Sequence, residues 1–167
     1  MKDNVKAWIE SIVETIIIIL ILYFVFFPFK VNGVSMEGTL SDGDRVFASR
    51  IVTAVGMYEE GDLIIFEKYI DGKKIKMVKR VIALENDTVL IKDGELYIND
   101  ILQDESYIAG QTEGEIEITL GKDEIFVMGD NRCDSTDSRE FGVVSKSEVT
   151  GKVILKAFPI SDFKVFL

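Results

Sequence analysis

Ser35, Lys79 and the stretch 129–139 hold the side chains of this chain that could break a covalent bond. The sequence contains no histidine, so serine and cysteine mechanisms that rely on an imidazole base are excluded. A serine nucleophile would have to use a lysine. Ser35 stands in Val34-Ser35-Met36-Glu37-Gly38-Thr39-Leu40, and Gly33 and Gly38 allow the tight backbone geometry that exposes a nucleophile on a turn. By itself this pattern reads equally well as a plain turn. Lys79 lies 44 residues further on, in the apolar run Met77-Val78-Lys79-Arg80-Val81-Ile82. If that run is a strand, alternation puts Met77, Lys79 and Val81 on one face. An ordinary lysine has a pKa of about 10.4 and is only about 0.1% neutral near pH 7.4. Burial can lower that value by up to ~3–5 units and produce a usable base. A solvated Lys-Arg pair on a strand edge is the competing reading.

The third element, Gly129-Asp130-Asn131-Arg132-Cys133-Asp134-Ser135-Thr136-Asp137-Ser138-Arg139, follows an apolar strand and packs three acids, two arginines and two serines into one loop. Charged, hydroxyl-rich loops at strand ends are good places to build a site. A calcium loop is disfavoured because Asp130, Asp134 and Asp137 lack the Asp-x-Asp-x-Asp-Gly spacing. A solvated polar turn stays open.

These groups need a scaffold. Residues 16–27 are all apolar, and the stretch 8–29 would be about 33 Å long as a helix, enough for a bilayer core of about 30 Å. Trp8 fits an interfacial anchor, and Glu10 and Glu14 lie near that end, where a carboxylate costs least. A cleaved secretory signal is the rival, but no Ala-x-Ala follows the apolar run. The expectation is a short tail over 1–7, a transmembrane anchor over 8–29 and a functional domain over 30–167, all on one side of the membrane.

Strand signals dominate the rest. The segments 45–52, 62–68, 74–84, 88–91, 96–98, 114–120, 124–128 and 152–158 are short and rich in Val, Ile and Phe. Asp93-Gly94 between two of them predicts a hairpin. No later stretch keeps a helical period for three turns, and 145–149 reads as one short turn. The predicted fold is therefore an all-β antiparallel domain behind one N-terminal transmembrane helix. Residues 51–58 are apolar and read as strand plus core-filling loop, with a membrane-surface loop as the alternative.

The chain carries 29 acids against 19 bases, a net charge of −10, and most of the excess follows residue 30. Such a surface repels phosphate backbones and anionic head groups, which argues against nucleic acid. Cys133 is the only cysteine, so no internal disulfide forms; with no histidine, a transition-metal site is not expected and no cofactor is implied.

Taken together, Ser35-Met36-x-x-Thr39-Leu40, then Lys79-Arg80-Val81-Ile82-Ala83-Leu84-x-x-Asp87, then Gly129-Asp130-Asn131-Arg132-x-x-Ser135-x-Asp137-Ser138-Arg139 resemble the type I signal peptidases, in family order and over nearly the whole chain. These are membrane-anchored Ser–Lys endopeptidases, and the short chain with one anchor is similar to their compact Gram-positive forms. The resemblance implies Ser35 as nucleophile, Lys79 as general base and Ser135 as the hydroxyl that orients the lysine. It also implies Asp137 and Arg139 as a structural ion pair, Arg80 and Met36 as supporting residues, and the backbone at Ser35 and Gly33 as the oxyanion hole. Preproteins bearing signal peptides and the lipid bilayer are the implied partners. The expected enzyme is monomeric, in the cell membrane, with its catalytic domain on the extracytoplasmic face. Two positions depart from the family pattern: Gly38 stands where proline is usual, and Asn86 where glycine is frequent. A self-cleaving repressor of the Ser–Lys type would need a DNA-binding domain where this chain has its apolar segment. A catalytically silent membrane-anchored module is the rival from another class.

Overall fold

The computed structural model describes residues 2–54 and 56–166. The chain opens with a 24-residue helix, α1 (Lys2–Val25), and then turns directly into β1 (Phe26–Lys30). The helix was expected to run on to residue 29. Pro28 is the physical reason it does not: proline lacks the N–H a helix needs, and it disfavours helical geometry in the residue before it. Phe26–Lys30 instead pairs antiparallel with β2 (Arg45–Ser49), at the outer edge of a sheet where a missing N–H is tolerated. Among the described residues, no helix is long and apolar enough to cross a membrane.

After β2 come the short helix α2 (Arg50–Ala54), β3 (Leu63–Ile70), β4 (Lys73–Ala83), β5 (Thr88–Lys92), β6 (Glu95–Ile98), β7 (Ile101–Leu102) and β8 (Ile116–Thr119). Then follow β9 (Glu124–Met128), α3 (Ser138–Phe141), β10 (Val144–Ser145), a 3-10 turn (Lys146–Glu148), β11 (Val149–Phe158), a second 3-10 turn (Ile160–Asp162) and β12 (Lys164–Val165). The antiparallel β domain is as predicted. It is divided, however, into a large sheet ordered β1-β2-β11-β3-β4-β9-β10, with β12 added to β11, and a small sheet ordered β7-β6-β5-β8. Asp93 and Gly94 form the predicted hairpin turn between paired Lys92 and Glu95, both with positive φ as a two-residue loop requires. Asn86 also adopts positive φ (74°), the conformation in which it can replace a glycine.

The segment 51–58 differs from its core-filling expectation. It begins in α2 rather than in a strand, and Ile51 and Met57 are exposed while Tyr58 is buried. Residue 55 lies outside the described residues.

Three apolar clusters hold the domain. One gathers Phe27, Val31, Met36, Leu40, Val46, Ala48, Leu63, Ile65, Val78 and Val153 beneath the segment that carries Ser35. Met36 and Leu40 are fully buried, so the residues on both sides of the turn are pinned, and each such side chain contributes roughly 1.5–3 kcal/mol. A second cluster packs the small sheet against β9, and a third lies around Ile64, Phe66 and Val127.

Candidate active site

Ser35 sits on the turn between β1 and β2, part-exposed, with its side chain next to a cleft of about 520 Å³. Its placement comes from both flanks. Val31 exchanges backbone hydrogen bonds with Gly43 and Asp44, which closes the 31–44 segment into a loop. Inside the loop, Thr39 and Leu40 donate to the Met36 carbonyl. The Ser35 carbonyl accepts from the Asn131 N–H (3.1 Å), and the Asn131 side-chain amide donates to the Val34 carbonyl (3.2 Å). The loop 129–139 therefore grips the backbone on either side of the serine.

Lys79 is on β4, opposite Ile64 of β3, and is 98% buried, with 2% of its surface exposed. It lines the same cleft as Ser35. Burial lowers its amine from the ordinary 10.5 to about 8, while the Asp137 carboxylate pulls it back up and the Arg139 cation opposes that pull. The choice left open by the sequence, wet strand edge or buried amine, is settled in favour of burial.

The Lys79 Nζ donates to Ser135 Oγ at 2.9 Å, and Ser135 Oγ donates in turn to Asp137 Oδ2 at 2.7 Å. Asp137 is fully buried. Burial works to raise its pKa, but hydrogen bonds from Arg139, the Gly129 N–H and Ser135 outweigh that and hold the carboxyl below its usual range. Arg139 meets it through Nε and Nη2, both at 2.9 Å, and also reaches the Arg132 carbonyl. Asp137 then caps α3 by accepting from the Arg139 N–H. The structure thus brings Ser35, Lys79, Ser135, Asp137 and Arg139 into one connected site.

Arg80, the neighbour of Lys79, points the other way and acts as a four-way tie. It meets Asp130 through Nε (2.8 Å) and Nη2 (2.6 Å), the Gly61 carbonyl through Nη1 (2.6 Å), and Thr39 Oγ1 through Nη2 (3.1 Å). Its guanidinium also stacks 4.2 Å from the Tyr107 ring centroid. Strand β4, the Ser35 loop and the 129–139 loop are therefore joined through one planar cation.

The oxyanion expectation needs correction at Gly33. Its N–H donates to Asp42 Oδ1 at 2.8 Å and so is not available to a substrate. The Ser35 N–H makes no hydrogen bond among the described residues and is left as a backbone donor at the cleft. Gly38 has φ of +102°, which a proline ring locked near −65° could not adopt, so the turn here takes a path proline would forbid.

Several contributors were not singled out from the sequence. Asp130 and Thr39 were visible in the motifs but carried no assigned role. Gly129 is enclosed so tightly that a Cβ there would overlap the Ser35 carbonyl oxygen and Ser135 Oγ. Tyr107 carried no signal, because it reaches Arg80 only through the fold of the segment between β7 and β8. That segment is tied to the site by reciprocal backbone bonds of Ala109 with Asp130 and Arg132, and by the buried Arg132 holding Glu105 and Thr112.

A backbone edge completes the cleft. Strand β4 pairs with β3 along its length, from Lys73 to Arg80, but β9 covers its other edge only from Arg80 onward. Ile75, Met77 and Val78 of this edge line the cleft together with Phe29, Val34, Ser35 and Thr136. The arrangement can hold an extended peptide beside a serine and a buried amine.

Comparison with known proteins places the chain in a family. A family model described as signal peptidase, peptidase S26, matches residues 5–158. The chain is 35% identical to a signal peptidase I of Bacillus licheniformis over 98% of this chain and 94% of that protein. It is 32% identical to a signal peptidase IB of Staphylococcus aureus over 98% and 95% of the two chains. A crystal structure of a signal peptidase I from Enterococcus faecalis superposes with a TM-score of 0.50 at 29% identity, covering 56% of this chain and 94% of that one. With a serine and a buried lysine on one cleft and a family match running through nearly its whole length, the chain belongs to the signal peptidases of the S26 family, which are serine peptidases.

Proposed function

We propose that this chain removes signal peptides from secreted preproteins by a Ser–Lys acyl-enzyme mechanism. The observation that carries the reading is Lys79: a buried amine of lowered pKa, facing the cleft of Ser35 and hydrogen-bonded to Ser135. In its neutral form Lys79 gives one N–H to Ser135 Oγ, which in turn donates a hydrogen bond to Asp137, so the lone pair is left for the Ser35 hydroxyl. Ser35 Oγ, its proton taken by Lys79, adds to the scissile carbonyl. The Ser35 N–H stabilises the resulting oxyanion. Collapse expels the amine of the mature protein, which takes the proton from Lys79, and leaves the signal peptide esterified to Ser35. The lysine then deprotonates a water that hydrolyses the ester.

The substrate would lie extended along the free edge of β4, where backbone hydrogen bonds hold it and the walls formed by Val34, Ile75 and Val78 admit small side chains. Membrane anchoring through α1 fits the same picture. The large apolar residues from Ile12 to Tyr23 stand about half exposed or more, which a lipid environment would cover. Ser35 follows Val25, where α1 ends, by ten residues, at most about 35 Å of extended chain, so the cleft stays tethered near the bilayer surface. In this reading the protein is a single-pass monomer with its catalytic domain outside the cytoplasm.

The test is cleavage of a purified preprotein by the detergent-solubilised chain. Product formed after a small residue and lost in both Ser35→Ala and Lys79→Ala is the expected result. Undiminished cleavage by a folded Lys79→Ala variant would reject the dyad, and no cleavage by the folded wild type would favour a silent binding module.

A further inference from the structure

The outer half of the β3–β4 hairpin is basic in a chain whose net charge is −10: between residues 67 and 76 lie Lys68, Lys73, Lys74 and Lys76 against only Glu67 and Asp71. Lys68 is turned inward, held by Glu148 (3.1 Å) and the Val143 carbonyl (2.7 Å); Lys74 and Lys76 are exposed and share Glu67 (2.5 and 3.8 Å), and Lys73 is exposed with no ion pair among the described residues. Tyr69 is beside them with 69% of its surface exposed, paired across the hairpin with Lys74.

The direction of the hairpin gives this charge a meaning. Along β4, Lys79 lies at the Ser35 cleft, and three residues earlier the Lys76 ammonium sits 5.0 Å from the centre of the Phe27 ring. Phe27 is only two residues past the end of α1, and its ring is also met by the Arg50 guanidinium at 4.3 Å. Moving from Lys79 to Lys76 therefore runs from the active site toward the exit of α1. The next three residues carry Lys74 and Lys73 about 10 Å further in that direction. An exposed tyrosine among lysines, on the helix side of the catalytic cleft, has the amphipathic character of a membrane-interface element.

We propose that the tip of the β3–β4 hairpin, through Lys73, Lys74 and Tyr69, docks onto anionic phospholipid head groups and holds the cleft at the bilayer surface. The docking rests on the reading of α1 as a membrane anchor. It is a local exception to the repulsion that the acidic domain as a whole exerts on such lipids. Each lysine brought to an anionic surface is worth about a fivefold shift in partitioning, so the unpaired Lys73, joined by Lys74 as it exchanges Glu67 for a lipid phosphate, biases the orientation of an already tethered domain.

The full-length chain makes the test direct, because Trp8 is its only tryptophan. Reconstituted into vesicles, the wild type reports on α1 through Trp8. A Trp8→Phe, Tyr69→Trp variant reports on the hairpin. The expected result is that the indole introduced at position 69 is blue-shifted and shielded from an aqueous quencher in vesicles containing phosphatidylglycerol, but not in phosphatidylcholine alone. The shift should vanish in 1 M salt, where the screening length falls to about 3 Å. Lys73→Gln plus Lys74→Gln should raise the anionic-lipid fraction needed for the half-maximal shift severalfold, while cleavage of a short peptide in detergent stays unchanged.

An indole at position 69 that responds identically to both lipids, with Trp8 buried in each, would overturn the docking and leave the anchor standing. Water-like emission from Trp8 would overturn the anchor and the docking with it. Loss of detergent cleavage in the double variant would assign the lysines to the preprotein instead.

Discussion

Arg80 and Asp130 meet through two parallel hydrogen bonds, and Asp130 is fully buried where they meet. Because the same guanidinium also holds Thr39 and the Gly61 carbonyl, the pair fixes the distance between the strand of Lys79 and the loop of Ser35.

Replacing Arg80 by lysine keeps the charge but removes the planar fork, leaving at most one of the bonds to Asp130. Arg80→Lys should lose about 1–3 kcal/mol of stability in denaturant unfolding, in line with a disrupted charged hydrogen-bond pair. It should also lower kcat by about tenfold or more, with a smaller change in KM. An unchanged kcat would show that the tie is structural alone.

In the proposed mechanism Lys79 sets the pH dependence. With a pKa of about 8, the neutral base is the minor form at pH 7 and the major form at pH 9. kcat/KM should rise through pH 8 and level off above it. A profile flat from pH 6 to 10 would remove lysine as the base.

The same shift has a stability consequence of defined sign. The folded pKa lies below the unfolded one, so the native state carries the full penalty of a buried charge below pH 8. That penalty fades as pH rises from 8 toward 10.5, where the unfolded chain still binds a proton that the native chain has released. Lys79→Met should therefore be more stable than the wild type at pH 7, by up to about 3 kcal/mol. The advantage should shrink above pH 8, as read from chemical denaturation at several pH values.

Ser135→Ala removes the acceptor that orients Lys79 and breaks its link to Asp137. kcat should fall by about tenfold to a hundredfold, a part of the ~10²–10⁴ that general-base catalysis supplies, while peptide affinity is kept. Equal losses in kcat and in inhibitor binding would point to a collapsed cleft rather than a misdirected amine.

Gly129→Ala is the most severe of the small changes. Its methyl group would overlap both the Ser35 carbonyl oxygen and Ser135 Oγ, so Ser35 and Ser135 must separate. A displacement of about 1 Å can cost 10²-fold in rate, and a loss of that order is expected with the fold retained by circular dichroism. Activity within twofold of wild type would mean that the loop yields freely.

Much of the site is legible in the sequence alone. The absence of histidine removed the common bases, and the types and order of Ser35, Lys79, Ser135, Asp137 and Arg139 resembled one family. The strands were legible too, because alternation and β-branched residues are local properties: β9 matches its predicted bounds, and Asp93-Gly94 turns as its side-chain-free second residue permits. The end of the N-terminal helix was not legible, because the apolar pattern runs through Pro28 to residue 29 while the helix ends at Val25.

Only tertiary structure could decide the rest. Whether Lys79 was solvated or buried depended on what covered its face, and therefore on side chains far away in sequence. The occupation of the Gly33 N–H by Asp42, the enclosure of Gly129 and the stacking of Tyr107 on Arg80 are likewise contacts between distant segments. The residue types establish which chemistry is available. Packing establishes the pKa and the geometry, because desolvation and hydrogen-bond direction are properties of an environment that no single segment carries.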